Sequence, residues 1–366
     1  MSNKKKQLVF VGLSGGVDSA VATYLLKKDY NVVGVFMKCW APKVPFQDDK
    51  EHPIGCGWEK DEEDARQVAS SLEIPFYSWD FTKEYKEKVI DYFIEGYKAG
   101  VTPNPDIECN REIKFKMFLK KALKMGADFV ATGHYARVAC NSKLSTFKFQ
   151  LLKGIDENKD QSYFLWTLGQ EQLKYCLFPI GEYLKPEIRK IAKKIDLPVK
   201  DKPDSQGVCF MGKINVEEFL KQNIKSKPGQ VVTIEGEKIG EHEGLETYTI
   251  GQRRGIKIGG GIPYFVIAKD FKKDELIVAK GRKNNALFGN KLRADYLSWV
   301  SGKEPKMPIE CQAKIRYRQP DQLCKVSKDG EDALSVVFKE DQRAITPGQS
   351  IVFYDGNELV GGGIII

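Results

Sequence analysis

Three short stretches of this chain carry side chains suited to covalent chemistry. Ser14-Gly15-Gly16-Val17-Asp18-Ser19 sets two glycines and two serines between an apolar run and a helical segment. Glycines let a backbone turn tightly and approach a ligand closely. The unpaired N–H groups of the helix that follows make an anion site, so the expected task is gripping a phosphate or pyrophosphate. The absence of Gly-Lys-Ser/Thr excludes a Walker A loop, and the absence of GxGxxG excludes the dinucleotide fingerprint. The plainer alternative is a structural turn capped by Ser14 or Asp18. Cys109 stands near the end of the proline-stiffened run Thr102-Pro103-Asn104-Pro105-Asp106-Ile107-Glu108-Cys109-Asn110. A helix is expected to start right after it, where a thiol gains thiolate character. Asp106, three residues earlier, could move a proton to or from that thiol. Cys209 lies in Asp204-Ser205-Gln206-Gly207-Val208-Cys209-Phe210-Met211-Gly212, a glycine-flanked loop ahead of another helical segment. A single cysteine is ordinarily a buried, inert thiol. Two of them in polar loops, beside a phosphate-gripping turn, point to paired thiol chemistry.

The elements that must position these residues alternate along the first half. Residues 7–13 and 31–38 read as strands, with a helix over 17–28 between them. A second helix carries Ala65, Val68, Ala69 and Leu72 at i, i+3, i+4, i+7 behind an acidic first turn. Residues 75–81 read as a third strand. Thr82 is expected to cap a helix with Ile90, Phe93, Ile94 and Tyr97 on its apolar face, ended by Gly100. After a loop over 101–110, a helix places Phe115, Phe118, Ala122 and Met125 on one side, and 128–131 reads as a fourth strand. This alternation predicts a parallel, doubly wound sheet with ligands at the carboxyl ends of its strands. Met37 and Gly133 fall at two such ends, where one could pack on an adenine ring and the other permit close approach of a nucleotide. As residues alone, both are ordinary core and turn positions. Residues 162–195 read as helical, and 216–224 as a last short helix. From Pro228 onward, glycine-rich turns separate short β-branched runs (231–234, 264–268, 276–279, 335–338, 350–354), an all-β region of one or two small barrels.

Composition narrows the class without choosing within it. With 366 residues, 42% hydrophobic and 30% charged, the chain suits a folded protein of two or three domains. No apolar run approaches the roughly 18–20 residues of a membrane helix, and the run 8–11 is too short for a signal-peptide core. A cytoplasmic protein with no membrane partner is expected, its eight cysteines reduced or reactive instead of disulfide-bonded. Three histidines, His52, His134 and His242, are too scattered for a His-based metal site. A net charge of +8 fits a polyanionic partner and fits a merely basic protein equally well.

The blocks GLSGGVDSAVA, TPNPDIECNREIKFK, ATGHYAR, KDQSYFLW, DSQGVCFMG, TIGQRRG, RYRQPD and PGQSIVFYDG, in that order over residues 12–356, resemble the bacterial tRNA-specific 2-thiouridylase family. Its phosphate turn is similar to the PP-loop of ATP pyrophosphatases, which cleave ATP between the α and β phosphates and adenylate a substrate. The resemblance implies an α/β N-terminal domain of PP-loop type with a doubly wound parallel sheet and a helical tRNA-contacting extension over 1–213. A small β-rich central domain over 214–284 and a C-terminal β-barrel over 285–366 would follow. It implies ATP-dependent 2-thiolation of the wobble uridine in lysine, glutamate and glutamine tRNAs. The route would run through an adenylated uridine and a cysteine persulfide, giving 2-thiouridine, AMP and pyrophosphate.

Carried onto matching positions, Gly12, Leu13, Ser14, Gly15, Gly16, Val17, Asp18, Ser19, Met37 and Gly133 would bind ATP, with Mg²⁺ as its companion. Asn104, Pro105 and Asp106 would meet the target base. Cys109 would be the catalytic cysteine, Asp106 its proton acceptor and donor, and Cys209 the persulfide carrier. His134, Lys159, Asp160, Gln161, Arg316, Tyr317 and Gln349 would touch tRNA. On residues alone, His134 reads as a core histidine and Arg316 and Arg318 as a solvated face. The implied partners are tRNA and a persulfide donor, either a cysteine desulfurase or a sulfur relay protein. Residues 39–58, with the extra Cys39 and Cys56, match the family pattern least well. An iron–sulfur cluster on Cys39, Cys56, Cys109 and Cys209 is the less favoured alternative, and its spacing is not that of a zinc knuckle. Other adenylating enzymes with the same turn, such as amidotransferase synthetases or tRNA-lysidine synthetases, need no paired reactive cysteines. An RNA-binding module with a degenerate nucleotide fold is disfavoured by the intact Ser14, Gly15, Gly16, Asp18 and Ser19.

Overall fold

The computed structural model describes residues 6–40, 58–141, 148–204, 216–259 and 261–366. Cys56 and Cys209 lie outside the described residues. In the first half, the strands are β1 (Leu8–Gly12), β2 (Asn31–Lys38), β3 (Phe76–Asp80), β4 (Phe129–Ala131), β5 (Ala136–Asn141), β6 (Lys148–Lys153) and β7 (Cys176–Leu177). The helices are α1 (Val17–Lys27), α2 (Trp58–Ser71), α3 (Thr82–Tyr85), α4 (Asp91–Lys98), α5 (Pro105–Glu108), α6 (Leu119–Lys124), α7 (Gln170–Leu173) and α8 (Lys185–Lys194). Five of these strands form one parallel sheet in the order β3-β2-β1-β4-β7. The chain runs outward from β1 to β3 and returns to β4 on the other side. The carboxyl ends of β1 and β4 therefore part, which is where open α/β sheets bind ligands. Val9 and Val11 are fully buried and Phe10 nearly so. Burial on both faces explains why β1 is continuously apolar instead of alternating.

Two helical passages differ from their sequence expectations at their starts. Thr82 opens α3, but the capping carboxylate is Asp80, whose Oδ1 accepts from the Thr82 N–H at 2.8 Å and from its hydroxyl at 2.7 Å. A π-wound turn (Lys86–Ile90) joins α3 to α4. The helix after the proline loop starts earlier than expected. Asn104 Oδ1 accepts from the Asp106 and Ile107 N–H groups, and Pro105 occupies the first helical position, where its missing N–H costs nothing. A second π-wound segment (Cys109–Phe118) continues into α6. Cys109 thus lies one turn inside the helix instead of just ahead of it.

Residues 162–195 are not one helical passage. They form a 3₁₀ turn (Ser162–Leu165), α7, β7 and α8, and only α8 follows the expected period, burying Ile188 and Ala192. The apolar residues near 163–166 are used for tertiary anchoring. Tyr163 donates its hydroxyl to Ser350 O at 2.9 Å, and Trp166 Nε1 donates to Ser350 Oγ at 3.1 Å.

In the second half, α9 (Val216–Asn223) leads into β8 (Gly229–Thr233), β9 (Lys238–His242), β10 (Tyr264–Asp270) and β11 (Glu275–Lys280). These strands form a sheet in the order β10-β11-β8-β9 over a core that includes Val231, Leu245, Val266 and Val278. Then β12 (Phe288–Trp299), β13 (Ile309–Lys314), β14 (Gln322–Lys328), β15 (Leu334–Arg343), β16 (Ser350–Asp355) and β17 (Glu358–Ile365) pair in the order β12-β15-β14-β13-β16-β17. A further pairing of β12 with β17 closes the barrel, which leaves no edge between these strands. The β5–β6 hairpin, not expected from the sequence, reaches across and pairs β6 with β17. Among the described residues, no helix is long and apolar enough to cross a membrane.

Candidate active site

The turn after β1 is built for an anion. Gly16 is the N-cap of α1, and no side chain caps that helix. Its first N–H groups therefore stay available, unlike those of a structural capped turn. Ser14 is exposed, and its Oγ lies 3.2 Å from Ser19 Oγ. The Ser19 hydroxyl also accepts from the Ser14 N–H at 3.1 Å and donates to Gly16 O at 3.1 Å, which fixes the curvature of the loop. Gly15 has φ +71°, and a Cβ there would stand 2.3 Å from Asp61 O of α2. A Cβ on Gly133 would stand 2.7 Å from Ser19 N, and one on Gly12 would meet Met37 Cε at 2.9 Å. The expected nucleotide-binding residues Gly12–Ser19, Met37 and Gly133 are thus gathered at the parting of β1 and β4.

Beside the turn lies an ionic chain that the sequence reading did not single out. Asp18 accepts from Tyr135 OH at 2.8 Å and from Lys185 Nζ at 2.8 and 2.9 Å. Burial, then the charge of Asp18, pushes the Tyr135 phenol far above its usual range, so it remains a donor. Lys185 also pairs with Asp204 at 2.8 Å, and Asp204 accepts from Lys159 at 2.6 Å and Arg189 at 2.5 Å. Burial alone would raise the Asp204 pKa, but these three cations hold it well below the carboxylate range. Lys202 donates to Gly15 O at 3.0 Å, to Asp61 at 2.7 Å and to Asp64 at 2.5 Å. The start of the segment that carries Cys209 is therefore pinned to the anion turn at Lys202 and Asp204. The available signal was positional: Asp204 opens the DSQGVCFMG block, and Tyr135 lies within ATGHYAR.

Cys109 is 2% exposed and lies one helical turn after Asp106, so the two share a face. Asn110, also buried, donates Nδ2 to Phe164 O at 3.0 Å, while its Oδ1 finds no donor among the described residues. Phe164 packs on Tyr317 with ring centroids 4.6 Å apart. Burial raises the Tyr317 pKa, and the hydroxyl also senses Arg318, Lys159 and Asp160. The Cys109 helix, the 159–161 turn and the loop after β13 thus meet. The loop that carries Asn104–Asp106 is docked on the barrel by Thr102 N–H to Pro347 O at 2.9 Å and Gln349 Nε2 to Thr102 O at 2.7 Å. Pro105 is buried, whereas Asn104 and Asp106 are half-buried.

Several expected tRNA contacts have structural partners already. Asp160, 5% exposed, accepts from the Gly154 and Ser162 N–H groups and stands 3.6 Å from Lys314. Gln161 Oε1 accepts from the Tyr135 N–H at 3.0 Å. His134, 8% exposed, has its Nδ1 2.7 Å from Thr132 Oγ1 and lies between Phe115 and Phe178. Its ring links the Cys109 helix, through Phe115, to the loop after β4. Lys159, Arg316 and Tyr317 are half-buried and reach the surface.

Burial, then Lys114, holds His134 neutral well below the usual histidine pKa. The unfolded chain binds a proton there near pH 6.5 and the folded one does not, so stability falls as pH drops below that value. Calorimetric melting at pH 7 and pH 5 should show the gap in Tm narrow in His134→Asn. An unchanged gap would assign the acid sensitivity elsewhere.

No group of three or more His, Cys, Asp or Glu side chains that could hold a metal exists among the described residues. Of the four cysteines in the less favoured cluster, Cys56 and Cys209 fall outside them.

Three family models match the chain in order. They are a tRNA methyl transferase HUP domain over residues 7–213, a tRNA methyl transferase PRC-barrel domain over 217–280 and an aminomethyltransferase beta-barrel domain over 289–365. The tRNA-specific 2-thiouridylase MnmA of Bacillus subtilis is 49% identical over 360 residues, 98% of this chain and 94% of that protein. That of Halalkalibacterium halodurans is 48% identical, with the same two shares. That of Oceanobacillus iheyensis is 47% identical over 100% of this chain and 96% of its own. Solved structures with local likeness include NMN synthetase from Francisella tularensis, with TM-score 0.31 and 17% identity over 61% of this chain and 80% of that one. NH3-dependent NAD synthetase from Campylobacter jejuni gives TM-score 0.28 and 17% identity over 61% and 71%.

Proposed function

The chain belongs to the tRNA-specific 2-thiouridylase family, ATP-using PP-loop enzymes that convert a tRNA uridine to 2-thiouridine, and we propose that it does so through an adenylated base. A urea-type carbonyl oxygen is a poor leaving group, so sulfur cannot displace it directly. The uridine C2 oxygen attacks the α phosphorus of ATP, and pyrophosphate leaves into the uncapped turn 14–19. C2 then carries AMP, a good leaving group. The terminal sulfur of a Cys209 persulfide attacks C2 and expels AMP. Cys109 thiolate next attacks the Cys209 sulfur, which forms a Cys109–Cys209 disulfide and leaves the outer sulfur on C2. If Cys109 attacks the persulfide first, hydrosulfide is released to displace AMP, and the same disulfide results. An external dithiol reduces it.

Asp106 serves as proton acceptor and donor beside Cys109. Asn104 and Pro105 would face the target base, and Lys159, Arg316 and Tyr317 the RNA around it. The packed His134, Asp160, Gln161 and Gln349 would support those contacts from behind. Mg²⁺, held chiefly by the phosphate oxygens, would offset the pyrophosphate charge. The wobble uridines of lysine, glutamate and glutamine tRNAs are the proposed targets, in the cytoplasm, with a protein persulfide as sulfur donor.

The observation that carries this reading is the Asp18–Lys185–Asp204 chain. It ties the pyrophosphate turn to the segment bearing Cys209, as a two-step reaction on one base demands. The test incubates the enzyme with unmodified tRNA, ATP, Mg²⁺ and a persulfide donor, and resolves the RNA on a mercury-containing gel. One retarded tRNA per AMP released is expected. Thiolation at full rate without ATP would overturn the adenylation step. ATP–pyrophosphate exchange that survives loss of both cysteines, with an amine as acceptor, would point to an amide-forming enzyme instead.

A further inference from the structure

Where the barrel meets the central sheet, guanidinium groups gather without acidic partners among the described residues. Arg316 follows β13, Arg343 ends β15, Arg282 lies just after β11, and Arg253 and Arg254 belong to the TIGQRRG turn. Arg316 Nη2 donates to Ala344 O at 3.0 Å. The Arg343 guanidinium lies over the Phe265 ring, 5.0 Å from its centroid, and its buried Nε donates to no group among the described residues. Gly251 fits against the same point: its φ is +83°, and a Cβ there would stand 2.6 Å from Ala344 Cβ and 3.5 Å from Arg343 Nη1. The glycine of TIGQRRG is thus required by its positive φ and its close approach to Ala344, the neighbour of Arg343, and Arg253 and Arg254 of the same turn are exposed.

Among the described residues none of these five arginines forms an ion pair. Burial and then Arg343 lower the pKa of Arg316, and burial and then Arg282 lower that of Arg343, with no carboxylate offsetting either. Like charges held together repel unless an anion joins them. A guanidinium stacked on a ring is also pre-organised for the bidentate hold that phosphate accepts. The row begins beside Tyr317, whose ring contact with Phe164 leads to Asn110 and Cys109.

We propose that Arg316, Arg343 and Arg282, extended by Arg253 and Arg254, form a track for consecutive backbone phosphates of the tRNA, leading from the target nucleotide onto the central domain. This rests on the tRNA reading above and adds residues that the family resemblance did not assign. The track would hold RNA by charge and shape without reading bases.

The test measures binding of the full chain to unmodified tRNA across a salt series. Arg343→Gln and Arg282→Gln should each weaken binding roughly tenfold and lower the slope of log K against log salt by about 0.7–0.9. Single-turnover thiolation at saturating tRNA should stay near wild type. Arg343→Lys should keep the slope while losing part of the affinity, and Lys194→Gln on α8, an equal loss of charge, should change neither. Arg282 is exposed, so its variant remains informative if Arg343→Gln folds poorly. Wild-type affinity and slope in both glutamine variants would overturn the track and leave the tRNA reading intact. A wild-type protein that does not bind tRNA overturns both. Variants that lose affinity for inorganic pyrophosphate but keep the tRNA slope would also overturn it, by making this a free-anion site.

Discussion

Replacement of Cys109 by serine should cut single-turnover thiolation at least about 10³-fold while uridine adenylation continues. The thiolate is the nucleophile that can open a persulfide or resolve the mixed disulfide, and a serine hydroxyl cannot do so at neutral pH. Cys109 is buried at the joint between α5 and the π-wound segment, one turn from Asp106 and next to Asn110, whose buried Oδ1 lacks a donor among the described residues. Serine is nearly isosteric, so a fall in Tm of only a few degrees is expected and the loss of rate cannot be put down to unfolding. Two measurements settle it: AMP-labelled tRNA trapped by rapid quench, which should persist, and the retarded band on a mercury gel, which should vanish. Normal thiolation by this variant would remove Cys109 from the chemistry.

The second large effect is expected at Gly15. Alanine there meets two obstacles, a φ of +71° and a Cβ placed 2.3 Å from Asp61 O. The left-handed backbone costs a β-carbon roughly 1–2 kcal/mol, and overpacking against a fixed helix adds about 1–3 kcal/mol. To relieve the clash the turn must move away from α2, and Lys202 then loses either Gly15 O or the Asp61–Asp64 pair. ATP affinity should fall at least about 100-fold, since each 1.4 kcal/mol is tenfold. Isothermal titration with ATP measures it. Gly126→Ala is the matched control: its φ is +88° with nothing within 4 Å, so it should lose some stability and no ATP affinity. An equal loss of affinity in both variants would trace the effect to general destabilisation.

The parts of this molecule legible in its sequence are those encoded by short-range patterns. β2 and α1 follow from apolar runs and periodicity, and the anion turn from two glycines at a strand–helix junction. What escaped was set by partners distant in the chain. The β5–β6 hairpin pairs with β17 about two hundred residues later, and nothing in residues 136–153 announces that neighbour. Residues 162–166 mimic a helix because Tyr163 and Trp166 are apolar at helical spacing, yet their polar atoms are spent on Ser350. The start of the Cys109 helix was missed because two prolines read as loop, although Asn104 followed by proline is also a good capping pair. Within the candidate site, the glycines of the turn after β1 were recognisable by motif. The Lys185–Asp204 clamp was not, because a lysine and an aspartate nineteen residues apart carry no pattern of their own.

The strand β17 is hydrogen-bonded to β12, β16 and β6 together, and the turn just before β16 holds the loop of Cys109. A ribosome making this chain therefore emits the parallel-sheet half long before the surface that steadies the loop of Cys109. Until residues 346–365 emerge, the hairpin β5–β6 lacks a partner and the side chains of Tyr163 and Trp166 lack their acceptors at Ser350. Fragments left by premature termination would keep the turn after β1 without the scaffold that docks the Cys109 loop, so the loop would be held in place only in molecules whose translation had passed β17.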